Sequence, residues 1–563
     1  MVSRRVRQSP SVCTDLPLDN TDICGGLGLL RTLLRSSFGP TGRLKLVHNN
    51  IGGQVVTTST SSVLLSSFSS SQPFINLIKT SILNHVSRFS DCGLFAAIFC
   101  LSLVEEARQS AVRGHVSIRV NQHVLGLCTA YLQGEHCACK VKLDFCSSHN
   151  LIRLAASVIS SKPACVLTGP EVLHVSRLAV QAFLLTVPCG SPGAVTLGRV
   201  VTVFVEGFPV LTSAVFPGLL LHTPDALCLR EAGNPLRVVL FSTSLAGDLS
   251  ELGDGIVEVR PGVDTDSQIL DELLELGERV VKDGAKLFVC QKVIHPVLQQ
   301  YLSSHGVVVI ERLGFPLMEP LIQLTGAQPV ATLHTTVPAQ AYGQVGGLSM
   351  KNVGSKTMLH LHPPGESEIC TLILCHRSET MLNELKVSCQ KTEHVLRLTL
   401  RDPSALLGGG CTETHLAAYI RQQSLNGVTE SLSALGCTHT DYLLGVEAFC
   451  RSLESVAAAL EHDGGNSLMD LTHGHHWTVP PDVLEGHVED SLCGCGLVEG
   501  RPGQKWTYLH TKYPQFSPAA PCRDSPLRPR VLDSFTAKLN ALQVAVETAN
   551  LALDVRHVIQ DTN

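Results

Sequence analysis

Phe38-Gly39-Pro40-Thr41-Gly42-Arg43 is the stretch from which the fold is read. Its two glycines free the backbone around a proline that fixes one φ angle, so the segment predicts a tight loop rather than the continuation of an element. Immediately before it, from 27 to 34, apolar residues recur at helical spacing, and they do so again from 95 to 107. Residues 54–65 are rich in β-branched side chains and predict a strand. The N-terminal quarter is therefore mixed but mainly helical, with the loop placed after its first helix.

At 563 residues the chain exceeds the roughly 250–300 over which one hydrophobic core stops growing, so two to four domains are expected. With 44% hydrophobic and 16% charged residues, it is more apolar than an average soluble chain, which implies extensive burial inside domains or between subunits. No apolar run approaches the ~20 residues of a membrane-spanning helix, so no membrane span is expected. Arg4, Arg5 and Arg7 have no apolar segment behind them, which is not the pattern of a secretory signal, and the cytosol is the expected compartment. The 21 cysteines are odd in number and scattered singly through apolar stretches such as Ile98-Phe99-Cys100-Leu101; they suit buried reduced thiols better than a disulfide framework. A net charge of −6 without a basic stripe removes the electrostatic term on which nucleic-acid affinity rests, so no nucleic-acid role is assigned.

The middle of the chain changes character near residue 197. Short β-branched runs, 200–205 and 238–241, are punctuated by Gly and Pro. Residues 267–283 carry Ile269, Leu270, Leu273, Leu276 and Val280 at helical spacing, and 286–290 and 307–310 predict buried strands flanking a helix over 298–303. After the Gly- and Ser-rich stretch 341–354 come a strand at 371–375 and then long helices, so an α/β domain is expected between two helical halves. Leu539, Leu542, Val546, Ala549 and Leu553 predict a final helix with Ser534 as its N-cap. Before it, 497–529 is dense in Pro, Gly, Arg and Ser and predicts a long surface insertion.

Taken in chain order, Gly39-Pro40-Thr41-Gly42, Asp91, Gly408-Gly409-Gly410 and the helix containing Ala545-Val546-Glu547-Thr548-Ala549 resemble the nucleotide-binding equatorial domain of group II chaperonins, the TCP-1 family. The run 283–292, Asp-Gly-Ala-Lys-Leu-Phe-Val-Cys-Gln-Lys, and Leu324-Thr325-Gly326-Ala327 resemble that family's apical motifs, and Ser160-Ser161-Lys162 falls in its intermediate domain. Stretches 85–95 and 406–421 depart from ordinary chaperonins and are similar to the divergent McKusick–Kaufman/Bardet–Biedl branch of chaperonin-like proteins. The resemblance implies an α+β and α/β multidomain fold: a mainly helical equatorial domain from 1–145 and 401–563, a small intermediate domain from 146–196 and 355–400, and an α/β apical domain over 197–354. It also implies a role in assembling the Bardet–Biedl coat complex of cilia (the BBSome) and in ciliogenesis. The implied partners are other chaperonin-like Bardet–Biedl proteins, cytosolic ring chaperonin subunits and BBSome subunits, met in the cytosol and at the centrosome and basal body.

An active chaperonin needs Mg²⁺ on the phosphates, carboxylates to hold the ion, and an Asp to orient the attacking water. The family's Asn-Asp-Gly-Ala-Thr motif falls within Thr57-Thr58-Ser59-Thr60-Ser61, with Ser59 where the carboxylate belongs. Its Gly-Asp-Gly-Thr-Thr motif reads Ser90-Asp91-Cys92-Gly93-Leu94, which keeps Asp91 as a Mg²⁺ ligand but loses the flanking glycines and both hydroxyls. For the water-orienting Asp, counting forward from Glu384 and back from Gly408 both arrive at Lys391; Glu393, the one acid in 385–400, would lie on another face of the helix. Little or no ATP hydrolysis is expected, and no catalytic residue is assigned. Nucleotide binding stays open: Gly39, Pro40, Gly42, Asp91, Gly408, Gly409 and Gly410 are the candidates for ATP or ADP with Mg²⁺, and the alternative is that the glycines only preserve turns. His473, His475, His476 and Cys493-Gly494-Cys495 are metal-ligand types without a C-x-x-C or H-x-x-x-H pair, so no zinc is expected. Two other readings are an ATP-hydrolysing subunit of a folding ring and a centrosomal scaffold that handles no clients.

Overall fold

The last helix, Phe535–Asp554, starts where predicted, with the Ser534 side chain accepting the Ala537 N–H at 3.4 Å. In a computed structural model the described residues are 12–48, 55–68, 70, 72–188, 197–222, 235–247, 265–332, 337–354, 356–366, 368–426, 435–481, 488, 490–513, 515–516 and 528–560. They form two compact units, one from Met1–Val180 with Thr380–Asn563 and the other from Gln181–Glu379. Chain order therefore nests the second unit inside the first, a coarser division than the three-domain expectation.

In the first unit, helices Pro73–Phe89, Gly93–Gln109 and Gly114–Gln133 from the first half of the chain pack on Phe535–Asp554 from the end. Ala541, Ala545, Ala549 and Ala552 are fully buried on that last helix, alongside the predicted Leu542 and Val546. Its buried surface is wider than the single predicted stripe because alanines let neighbouring backbones approach. Gly93–Gln109 is buried without interruption from Gly93 to Val104, as befits a helix surrounded on all sides. The strand expected over 54–65 is shorter than predicted: Val55–Thr58 pairs with Lys45–His48, and Ser61–Ser67 is a helix. Its apolar Leu64 and Leu65 are buried in the helical core instead, and Gln54 lies outside the described residues. The expected surface insertion is fastened down in its described part: Trp506–Tyr508 pairs with Asn466–Asp470, and Phe516 is buried against Met469 and Ala418. Strands Val12–Asp15 and His557–Gln560 pair with each other. The 18 described cysteines are free, most of them buried, and among the described residues no helix is long and apolar enough to cross a membrane.

The second unit is the predicted α/β layer. Strands Leu236–Phe241, Ala285–Cys290 and Val308–Ile310 lie parallel, with Gly343–Val345 antiparallel at the edge. Helices Thr265–Lys282 and Pro296–Ser304 supply the connections, burying Leu273, Leu276, Val280, Leu298 and Leu302 against Val239, Phe241 and Phe288 of the sheet. Two further three-stranded sheets complete it, one of which pairs Ile369–His376 in parallel with Arg199–Glu206.

One buried ion cluster joins the helices Cys411–Asn426 and His439–Ala458. Arg421 donates to both oxygens of Glu447 at 2.9 Å, to Glu454, and to the Tyr513 hydroxyl at 2.6 Å. Burial alone would raise the Glu454 carboxyl, but hydrogen bonds from His510 and Arg421 and their charges outweigh it and hold it at about 2. Arg421→Leu strands a fully buried carboxylate, and the expected loss is about 3–5 kcal/mol. Urea unfolding should register that loss, and Arg421→Leu/Glu454→Leu should recover part of it.

Candidate functional site

Four turns converge in the first unit. The 38–43 loop follows the helix Thr21–Arg35, as predicted, and is closed by the Gly42 N–H donating to the Gly39 carbonyl at 3.2 Å. The triple glycine is the turn between strand Ser404–Leu407 and helix Cys411–Asn426, and Gly409 and Gly410 take φ values of +63° and +81° that only glycine adopts freely. Residues 90–92 join Pro73–Phe89 to Gly93–Gln109. Ser160-Ser161-Lys162 ends the helix Ser148–Ser160.

Between these turns lies a cavity of about 410 Å³. Gly39, Pro40, Asp91, Gly409 and Gly410 line it, as do Ser160, Ser161 and Lys162. Gly42 and Gly408 do not: a Cβ on Gly42 would strike the Ser37 backbone and one on Gly408 would strike Val531, so both are glycine for close packing. Lys391 lines the cavity too, with its ammonium donating to Ser62 Oγ at 3.2 Å. Ser59 is fully buried with its hydroxyl unpartnered and is not among the lining residues, whereas Ser61 is. Glu393 pairs with Arg397 at 2.8 Å and is also absent from the lining.

Several lining residues were missed in the sequence. Lys538, from the last helix, donates to Glu413 and to Asp533 at 2.9 Å, and its ammonium sits 4.1 Å from the centre of the Phe95 ring. The two carboxylates come from 411–426 and 532–534, so nothing local in the sequence links them. Burial pushes the Asp533 carboxyl up to about 6 against the pull of Lys538. His476 donates from Nδ1 to the Gly409 carbonyl at 3.1 Å, leaving Nε2 buried and unpartnered, and Glu413 Oε2 is unpartnered as well. Glycine walls and the amines of Lys162 and Lys391 give the cavity the polarity that a phosphorylated ligand would meet, while the two orphaned acceptors call for a donor.

Ser90 and Cys92 occupy the positions where the expected motif has glycine, and both hold left-handed backbone, with φ of 60° and 58°. The turn has kept a glycine geometry after losing its glycines. Ser90 Oγ lies 2.7 Å from His394 Nδ1, and the His85 ring reaches the Asp91 carbonyl at 2.9 Å.

Residues 30–563 match the TCP-1/cpn60 chaperonin family. The chain belongs to that family. It is 43% identical over the full length of both chains to a protein named Molecular chaperone MKKS from Homo sapiens, and 42% identical to the Mus musculus protein of that name, again over both full lengths. At greater distance it is 22% identical to Thermosome subunit alpha of Saccharolobus solfataricus, over 84% of each chain. The mixed helix and sheet architecture is thus that of a chaperonin; of the residues expected to depart from the family's motifs, Ser90, Cys92 and Lys391 line the cavity and Ser59 does not.

Lys391 makes that divergence measurable. Burial lowers its amine from the ordinary 10.5 to about 7, with Lys162 adding to the effect and Asp91 and Glu384 opposing it. The charged amine is the form that folding disfavours. Its cost is full below about pH 7 and is relieved as pH rises from about 7 to 10.5, so stability climbs across that window. Lys391→Met is expected to flatten this climb and to raise stability at pH 7 by on the order of 1–3 kcal/mol. Urea denaturation at pH 6.5, 7.5, 8.5 and 9.5 (roughly spanning the lower part of that window) checks both effects.

Proposed function

We propose that this chaperonin-family chain is an assembly factor that works by binding protein partners and does not turn over ATP. The observation that carries the reading is Lys391: the position that both counts assign to the water-orienting acid is a lysine lining the cavity. A lysine amine that donates to Ser62 Oγ offers no pair of fixed acceptor oxygens, so it does not hold an attacking water in line as a carboxylate does. Of the acids besides Asp91 that line the cavity, Glu413 and Asp533 are engaged by Lys538, Glu461 accepts the backbone N–H groups of Asp463 and Gly465, and Asp463 pairs with Arg43. Ser59 supplies no carboxylate.

A nucleotide suits what remains. Lys162 and Lys391 would face its phosphates, the backbone at Gly39, Gly409 and Gly410 would approach it closely, and Asp91 would hold Mg²⁺. Bound in this way, ATP or ADP acts as a structural ligand that orders the turns. The partners in this reading are other chaperonin-like Bardet–Biedl proteins, subunits of the cytosolic ring chaperonin, and BBSome subunits. The work belongs in the cytosol and at the centrosome and basal body, where it supports BBSome assembly and ciliogenesis.

Cells lacking the protein are expected to accumulate unassembled BBSome subunits on sucrose gradients, and re-expression should restore the assembled complex. Purified full-length protein should release phosphate from ATP no faster than its Asp91→Ala variant. Turnover that Asp91→Ala abolishes would return the chain to the class of working ATPase subunits; normal BBSome assembly with displaced basal-body staining would make it a scaffold.

A further inference from the structure

Behind the glycine wall of the cavity, and facing away from it, four side chains meet. Cys411, His475, Cys493 and Cys495 are all buried, and one ligand atom from each lies within 4.8 Å of all the others. His475 Nδ1 is 3.3 Å from Cys493 Sγ and 3.6 Å from Cys495 Sγ, and the two sulfurs are 3.3 Å apart. That S···S separation is far beyond the ~2.05 Å of a disulfide. Around a tetrahedral ion with Zn–S of about 2.3 Å and Zn–N of about 2.0–2.1 Å, neighbouring sulfurs would be about 3.8 Å apart and sulfur and nitrogen about 3.5 Å. The separations among His475, Cys493 and Cys495 fall within about half an ångström of these values, and Cys411 Sγ lies within 4.8 Å of all three ligand atoms.

The environment is built for thiolate. The Val498 N–H donates to Cys493 Sγ at 3.2 Å and the Cys495 N–H to Cys411 Sγ at 3.3 Å. Asp470 holds the chain at the histidine by accepting the backbone N–H of His475 at 2.6 Å. Three buried thiols around one imidazole, with two backbone amides aimed at sulfur, are poor hydrophobic packing and a complete tetrahedral donor set. We propose that Cys411, His475, Cys493 and Cys495 bind one structural zinc ion.

This replaces the expectation of no zinc, which rested on spacing along the chain. The set is assembled from three separate places, with Cys411 far in sequence from the other ligands and His473 and His476 turned elsewhere: His473 to Asp470 at 2.9 Å, His476 to the Gly409 carbonyl. Its location gives it a purpose. Gly409 and Gly494 lie backbone to backbone, so that a Cβ on either would collide with the other's carbonyl, and Cys411 follows the triple glycine directly. Coordination would clamp the Cys493-Gly494-Cys495 knuckle onto the glycine turn and fix that wall of the cavity whether or not a ligand fills it. All four ligands are present, which leaves no open position for catalysis.

Full-length protein purified without chelator is expected to carry about one zinc per chain by plasma mass spectrometry. Cys493→Ser/Cys495→Ser should cut this at least about tenfold, while Cys290→Ser, a buried thiol in the other unit, leaves it unchanged. Wild-type protein refolded with Co²⁺ needs no variant: it should show tetrahedral d–d bands and an intense thiolate-to-cobalt charge-transfer band, and added Zn²⁺ should bleach both. Zinc removal should raise hydrogen exchange at 408–411 and 493–498. A wild-type protein without zinc that gives no thiolate–cobalt spectrum, or one whose intact mass reveals a Cys493–Cys495 disulfide, overturns the proposal.

Discussion

Lys538 is the point on which the first unit turns. It stands on the last helix, is buried, and divides its charge between Glu413, at the start of the helix after the triple glycine, and Asp533, in the strand that leads into its own helix. A buried ammonium is tolerable only when carboxylates surround it, so the ends of these three elements are obliged to meet. Their meeting place is the cavity. The Phe95 ring beneath the ammonium adds the helix Gly93–Gln109 to the same junction. The alanine-rich face of Phe535–Asp554 then determines how closely the surrounding helices approach. Remove Lys538 and two acids are left facing each other in a poorly solvated space, which is why the cavity's polarity and the unit's stability are one problem.

How much of this was legible in the sequence differs by element. Where a single pattern decided the matter, the reading was sound: Leu273, Leu276 and Val280 gave the helix Thr265–Lys282, and the β-branched runs near 200 and 238 and the buried run at 286–290 became strands. It failed at 61–67, where β-branched composition was read through into a segment whose Leu64 and Leu65 are helical and buried. At 497–529 composition did not show that the described part lends three residues to a sheet edge and buries Phe516. Motif residues located the cavity, since turns are local. The groups that set its charge, Lys538 with Glu413 and Asp533, and the four around Cys493, lie far apart in the chain and carry no common spacing, so only folding brings them together.

The turn at 90–92 records how the site changed. Left-handed backbone at Ser90 and Cys92 costs on the order of 1 kcal/mol each, a cost that glycine would avoid. The geometry persists because its surroundings dictate it: Gly93 has no room for a side chain between Val86 and Ser61, and His85 holds the Asp91 carbonyl. Packing thus suffices to hold this backbone without glycine at 90 and 92. Asp91 keeps its place in the cavity by the same argument, as a consequence of the turn, and its presence alone says little about turnover.

Lys391 and the thiol cluster answer one question from opposite sides of the glycine wall. In an ATP-driven machine the turns around the nucleotide must be loose enough to respond to bond cleavage, and their order comes from the ligand. Here an amine held near neutrality by burial sits where the water-orienting acid is expected, and the turn behind Gly409 is already seated on Gly494 by direct backbone contact. A wall that is fixed from behind cannot report what happens in front of it. On the proposed reading, loss of the acid and stiffening of the loop favour each other: without hydrolysis nothing would oppose a turn that no longer moves, and a rigid unit would present partners with one surface instead of a cycle of surfaces.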